Sequence, residues 1–303
     1  MNSILKTAHF STKKKTYTKG FTLIELMVVM SIVAMLSSVI IVALQGARNK
    51  GVVASGLNFA TYNYHFLGAD ALAIYNFNDL LNSTNVSTSD GGPNNYNATL
   101  VGCGSSPFCK STLTPTGTGS SFVLAGGQYA AYDQNTNLSK SNLTSATESV
   151  WIYPTTVIAS GNYEIVMGVS DLIHDIGSHR NLYLDIRGPG NILHAQSAPD
   201  SGSGCSFDLT GVIQLNKWQN ITFSVNGGTG SLYLNGKLLQ TQSGCTGMNF
   251  MPKTILIGTY NTTPLFPFTG NIDDASVYSS ALSDAQVKEI YAQGLPSHLY
   301  AKK

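Results

Sequence analysis

Lys217-Trp218-Gln219-Asn220-Ile221-Thr222-Phe223-Ser224-Val225, the turn Asn226-Gly227-Gly228, and the run Ser231-Leu232-Tyr233-Leu234-Asn235-Gly236-Lys237-Leu238-Leu239 decide the fold. From Ile221 to Val225 apolar and hydroxyl side chains alternate, which is the period of a strand with one face buried. Asn235-Gly236 supplies two residues that tolerate positive φ between two strand-like runs, so residues 231–239 predict a β-hairpin. Working outward, Ser149-Val150-Trp151-Ile152-Tyr153 before Pro154, Thr254-Ile255-Leu256-Ile257-Gly258, and Ile272 to Tyr278 read as further core strands. After Gly68 no helix alternates with these strands, so the sequence predicts a mainly β, antiparallel sandwich rather than a parallel sheet.

Composition agrees and narrows the function classes. The chain has 303 residues, 43% hydrophobic and only 11% charged, with a formal net charge of +1. A full apolar core is affordable at this length, and the basic footprint of a nucleic-acid binder is missing. Thirty Gly, 15 Tyr and 12 Phe in a Ser/Thr/Asn-rich background suit a secreted protein with many turns. Cys103, Cys109, Cys205 and Cys245 show no C-x-x-C spacing, which favours disulfides over zinc. Of three pairings, Cys103–Cys109 within one short loop and Cys205–Cys245 flanking a strand pair are expected.

The N-terminus has a different chemistry. Residues 1–20 carry Lys6, Lys13, Lys14, Lys15 and Lys19 without an acid, a positively charged cytoplasmic leader. Leu26 to Leu44 then holds no charge, and these 19 residues at about 1.5 Å each reach about 28 Å, near the thickness of a bilayer core. Glu25 sits at the start of this run, where an unpaired carboxylate costs roughly 2.5–3.5 kcal/mol. Val53, Leu57, Ala60 and Tyr64 continue as one face of a helix, ending near residue 68.

Lys19-Gly20-Phe21-Thr22-Leu23-Ile24-Glu25 resembles the processing site of type IV pilins and pseudopilins. The resemblance implies that prepilin peptidase cuts between Gly20 and Phe21 and that the new Phe21 amino group is methylated. Glu25 would then pair with the Phe21 ammonium of a neighbouring pilin subunit, a registry device more than a stabilising one. Residues 21–50 depart from the common pilin pattern in lacking a proline. The expected division is a leader over 1–20, a membrane and assembly helix over 21–68, a sandwich over 69–295 and a tail over 296–303. The chain would sit in the inner membrane as a single pass, N-terminus inside, before reaching the cell surface or a pilus.

From Ala73-Ile74-Tyr75-Asn76-Phe77-Asn78, through Asp90-Gly91-Gly92, to Gly270-Asn271-Ile272-Asp273-Asp274 and the helix opened by Ser283-Asp284, the ordered pieces resemble the laminin-G-like, concanavalin A-like jelly roll. That resemblance implies a calcium site, for which Asp90, Asn95 and Asp273 are the expected ligands with Asp274 in reserve. Asp171 to His179 concentrates His174, Asp175 and His179 and reads as a solvated insertion. Pro264-Leu265-Phe266-Pro267-Phe268 cannot enter a sheet centre, so Phe266 and Phe268 are expected ligand contacts. No alternating acidic pair, G-x-S-x-G or H-E-x-x-H occurs, and Asp273 and Asp274 are expected on opposite faces of a strand, so an enzyme acting on polysaccharide is not the expectation. The expected function is a pilin-like subunit displaying a domain that binds a glycan or an extracellular protein, with a cargo-contacting pseudopilin as the alternative.

Overall fold

The computed structural model describes residues 22–38, 40–41, 67, 69–80, 87–104, 109–117, 119–176, 181–199, 204–245 and 248–295. Gly20, Phe21, His179, the leader, the Val53–Tyr64 face and the tail lie outside the described residues. The chain divides into two compact units, Met1–Lys50 and Gly51–Lys303.

In the first unit, helix α1 covers residues 23–38. Thr22 and Glu25 close its N-terminus reciprocally. The Thr22 N–H and hydroxyl both donate to Glu25 Oε2 at 2.8 Å, and the Glu25 N–H donates to Thr22 Oγ1 at 3.3 Å, a capping box. The hydroxyls of Ser31, Ser37 and Ser38 donate back to the carbonyls of Val28, Val33 and Met35, so the helix hides its own polar groups. Its apolar side chains are exposed all round, from Leu23 at 75% to Met35 at 73%. Among the described residues no helix is long and apolar enough to cross a membrane.

The second unit is a sandwich of two eight-stranded antiparallel sheets. Sheet A runs β14 (Lys237–Ser243), β13 (Thr229–Leu234), β12 (Gln219–Asn226), β7 (Ser145–Pro154), β16 (Thr269–Tyr278), β5 (Ser121–Ala125) and β4 (Lys110–Ser111), with β1 (Ala71–Tyr75) on the other half of β16. Sheet B runs β11 (Cys205–Leu209), β10 (Ile192–Ala198), β9 (Asn181–Arg187), β8 (Tyr163–Ser170), β15 (Thr254–Ile257), β6 (Tyr129–Asp133), β3 (Ala98–Val101) and β2 (Ser87–Thr88). The expected hairpin is β13–β14, and its turn residues Asn235 and Gly236 have φ of 53° and 71°.

Between the sheets lie Val150, Ile152, Ile221, Phe223 and Val225 from sheet A against Met167, Val169, Leu182, Leu184 and Ile255 from sheet B. Each such side chain contributes about 1.5–3 kcal/mol on burial. Glu148 interrupts this core. It points inward from β7 at the level of Phe223 and Val277, is fully buried, and neither carboxyl oxygen completes a hydrogen bond. Burial pushes its pKa well above the usual carboxylate value, and the Val169 backbone offsets this only in part.

Outside sheet A, helix α2 (Asp284–Gly294) opens on a Ser283–Gln286 capping box. Its Val287 and Ile290 bury against Tyr233, Tyr278 and Leu282, and Tyr291 stacks on Trp151 with ring centroids 5.4 Å apart. Two disulfides join Cys103 to Cys109 and Cys205 to Cys245, with Cα–Cα distances of 5.4 and 4.5 Å. The second does more than close a strand pair. Cys205 opens β11 at the edge of sheet B and Cys245 follows β14 at the edge of sheet A, so the bond ties the two sheets together.

The expectation that Asp273 and Asp274 face apart is corrected. A register shift lies between Asp273 and Ser276, and Asp274 takes a φ of 45°, so the strand alternation breaks at this pair. Asp273 is buried and Asp274 half-buried, and both carboxyls are pushed up by burial, Asp274 to about 7. The negative charge of Asp274 raises Asp273 further.

Candidate functional site

Strand β9 builds the site by simple alternation. Leu182, Leu184 and Ile186 enter the core, which turns Tyr183, Asp185 and Arg187 outward from sheet B. Antiparallel register then sets Asp185 beside His194 of β10, and His194 beside Asp208 of β11, a row across three strands. The adjoining row is Tyr183, Gln196 and Ser206.

Asp185 is fully buried and spends its charge locally. Arg187 Nε donates to Oδ1 at 2.9 Å, Arg187 Nη2 to Oδ2 at 3.2 Å, and His194 Nδ1 lies 2.9 Å from Oδ2. His194 Nδ1 is also 2.9 Å from Arg187 Nη2, so it either donates to Asp185 or accepts from Arg187 according to its proton. Such paired, hydrogen-bonded charges are the form in which ionic groups tolerate burial. Arg187 Nη1 stands 3.8 Å from Asp208 Oδ1, and the guanidinium lies 5.9 Å from the ring centroid of Tyr163.

Aromatic rings continue the surface. Tyr163 stacks on Phe266 with centroids 3.8 Å apart, and Tyr260 meets both Phe266 and Tyr183 edge-on at 6.1 and 6.4 Å. The Tyr183 hydroxyl donates to Gln196 Oε1 at 2.8 Å. Burial raises the Tyr183 hydroxyl far above its ordinary pKa and lifts Tyr260 to about 12, so both remain protonated donors at neutral pH. Gly168 makes the packing possible: a Cβ there would fall 2.6 Å from Tyr183 Cβ and 2.6 Å from Ile176 Cδ1.

Phe266 lies on this face. It holds a φ of 53°, uncommon for a bulky residue, and its carbonyl accepts the Ile165 N–H at 2.9 Å. Phe268 does not belong: it is fully buried between the sheets, because its neighbour's turn reverses which way the chain faces. The segment at His174 borders the same surface. Its backbone N–H and ring Nδ1 both engage Asp133, and Ile176 N–H donates to the Tyr260 carbonyl. Among the described residues no three His, Cys, Asp or Glu side chains are placed to hold a metal ion.

Of the expected calcium ligands Asp90, Asn95 and Asp273, Asp90 has the most hydrogen-bond partners among the described residues. Asp90 accepts the N–H groups of Ile74 at 2.8 Å, Gly92 at 2.7 Å and Tyr96 at 2.9 Å. Ile74 also gives its carbonyl to Gly91, so its polar groups face the Asp90 loop, away from β16. Asp90 therefore sits on one edge of β1 while Asp273, in β16, lies across the other. Asn95 is exposed at the loop tip with a φ of 57°. Asp90 acts here as the organiser of a turn.

Tyr183, Asp185, Arg187, His194 and Gln196 were not singled out from sequence. The signal present was the strict alternation of Asn181-Leu182-Tyr183-Leu184-Asp185-Ile186-Arg187, which places four polar side chains on one face.

Residues 15–41 match the prokaryotic N-terminal methylation motif, and residues 124–288 match the concanavalin A-like lectin/glucanases superfamily, with no curated protein sequence matching the chain. Among solved structures, the ligand binding domain of botulinum neurotoxin serotype D, determined in complex with N-acetylneuraminic acid, is similar with a TM-score of 0.54 at 20% identity, over 75% of this chain and 51% of that one. The receptor binding domain of botulinum neurotoxin D gives 0.52 at 21% identity, over 74% and 53%. This chain thus spans about half of those neurotoxin domains. Domain 4 of AbnA, a GH43 extracellular arabinanase from Geobacillus stearothermophilus determined in complex with arabinotriose, gives 0.51 at 19% identity, over 73% of this chain and 98% of that one. At these identities the likeness is one of fold. With a pilin-type methylation segment at its start and the superfamily match running over more than half of its length, the chain belongs to the concanavalin A-like lectin/glucanases superfamily.

Proposed function

We propose that this chain is a type IV pilin-type filament subunit, cut between Gly20 and Phe21 by prepilin peptidase, whose jelly roll binds a glycan through the outer face of sheet B. The observation that carries the assembly half is α1, apolar on every side yet holding one acid at its first turn. A helix with no polar face needs lipid or other apolar helices around it. Glu25 is satisfied by Thr22 within its own chain. Cleavage supplies the Phe21 ammonium of a neighbouring copy as a competing, charged partner, which sets the register as subunits are added.

The binding half rests on the chemistry of sheet B. Aromatic faces beside fixed charged donors and acceptors are how concave sites hold and orient sugars. Domain 4 of the arabinanase, of the same fold, was determined with arabinotriose, which supports a sugar over a protein ligand. Binding rather than catalysis is favoured because Asp185 is sealed by Arg187 and His194, which leaves Asp208 as the exposed carboxylate of the row without the second free carboxyl that sugar hydrolysis uses. The test of the assembly half is Glu25→Ala in the native host: the protein should accumulate in the membrane and be lost from sheared surface filaments. Undiminished incorporation would refute the role given to Glu25.

A further inference from the structure

Arg187 Nη1 and Asp208 Oδ1 are 3.8 Å apart, an ion-pair distance but too long for a hydrogen bond. A donor and an acceptor therefore stand side by side on the surface of sheet B, each with unused capacity. Their side chains remain 34% and 54% exposed. Asp185 and His194, by contrast, are buried and turned toward the guanidinium, which they hold in place from beneath. Tyr163 lies under the same guanidinium and stacks face to face on Phe266, so the pair borders the ion pair as an aromatic wall.

We propose that this face takes an uncharged sugar, with one ring against the Tyr163–Phe266 stack and two vicinal hydroxyls spanning Arg187 and Asp208. This rests on the glycan reading of the face given above and adds the class of glycan. Charge decides the class. The Arg187 guanidinium beside the row gives two of its donors to Asp185, and the His194 imidazole within the row also faces Asp185, which leaves Asp208 as the exposed charge of the row. A carboxylate, sulfate or phosphate ester would meet the charge of Asp208 and, among the described residues of the row, no cation free of Asp185, a like-charge arrangement that works against binding. A hydroxyl both donates and accepts, so an adjacent pair satisfies Arg187 and Asp208 together without burying net charge. Arg187 and Asp208 are the contacting residues; Asp185 and His194 are positioning residues.

The test uses the full chain in detergent micelles, titrated calorimetrically with neutral hexose and pentose oligosaccharides and with sialylated, uronate-containing and sulfated ones at fixed salt. Neutral sugars should bind and acidic ones should bind at least about tenfold more weakly. Tyr163→Ala and Asp208→Asn, checked for folding by near-ultraviolet circular dichroism, should each weaken neutral-sugar binding by about tenfold, and Asp208→Asn should narrow the gap between the two classes. Preference for acidic sugars, lost on Arg187→Met, would overturn the uncharged class while leaving glycan binding standing. Neutral-sugar binding untouched by Tyr163→Ala and Asp208→Asn would overturn the site. Failure of the folded wild type to bind any glycan would sink the glycan reading itself.

Discussion

The two outer faces of the sandwich come from the same strand alternation and end in opposite states. Outside sheet A, small hydroxyl side chains bond one another across strands, with Thr147 Oγ1 donating to Ser224 Oγ at 3.0 Å and Ser149 and Thr222 hydroxyls 2.9 Å apart. Helix α2 and the Trp151–Tyr291 stack lie over this face. Outside sheet B, large aromatic and charged groups stand at the surface, and among the described residues no helix lies on them. A sheet face dressed with short, mutually satisfied groups can be closed by an apolar helix. One dressed with Arg, Asp and Tyr must keep access to water or a ligand. Stability is concentrated on the covered face, and the open face is the one left for the proposed recognition.

Substitutions should separate the faces by size of effect. Trp151→Ala, beneath Tyr291 and pressed by Gly294, where a Cβ would stand 2.3 Å from Trp151 Nε1, should cost about 3–5 kcal/mol in urea unfolding. Removing the Cys205–Cys245 bridge should cost about 2–4 kcal/mol, since it ties both sheet edges. Asp90→Ala should cost about 1–3 kcal/mol through three orphaned N–H groups, by the same amount with added calcium or with chelator. Tyr163→Ala on the open face should cost only about 1 kcal/mol. If Tyr163→Ala were as damaging as Trp151→Ala, the open face would be structural and the contrast would fail.

How much of this was legible depends on whether the signal was local. The β12–β13–β14 run could be read because Asn235-Gly236 and the alternation around Phe223 act within a few residues. Asn235 and Gly236 take positive φ because the turn demands it, whatever lies elsewhere. The site could not be read the same way. Asp185, His194 and Asp208 meet only through the register of three strands, and single positions such as Gly168 decide whether Tyr183 can approach. Local irregularity misled twice: left-handed Phe266 sends Phe268 inward, and left-handed Asp274 undoes the alternation that would have parted it from Asp273.

Between the faces, the core carries its own pH dependence. Burial raises the folded-state pKa of Glu148, and also of Asp273 and Asp274, so the fold holds these protons more tightly than the unfolded chain. That stability is fully present below the unfolded carboxyl value and is lost as pH rises through the raised ones, Asp274 at about 7 among them. The melting temperature should therefore fall from pH 5 to pH 8, and Glu148→Gln should flatten the slope. An unchanged slope would remove Glu148 from this account.

The proposed function places sheet B on a processed subunit at the cell surface. Mass spectrometry of the protein sheared from native cells measures that directly. The account predicts an N-terminal peptide that begins at methylated Phe21 and lacks residues 1–20. An intact Met1 on the surface-borne protein would contradict it.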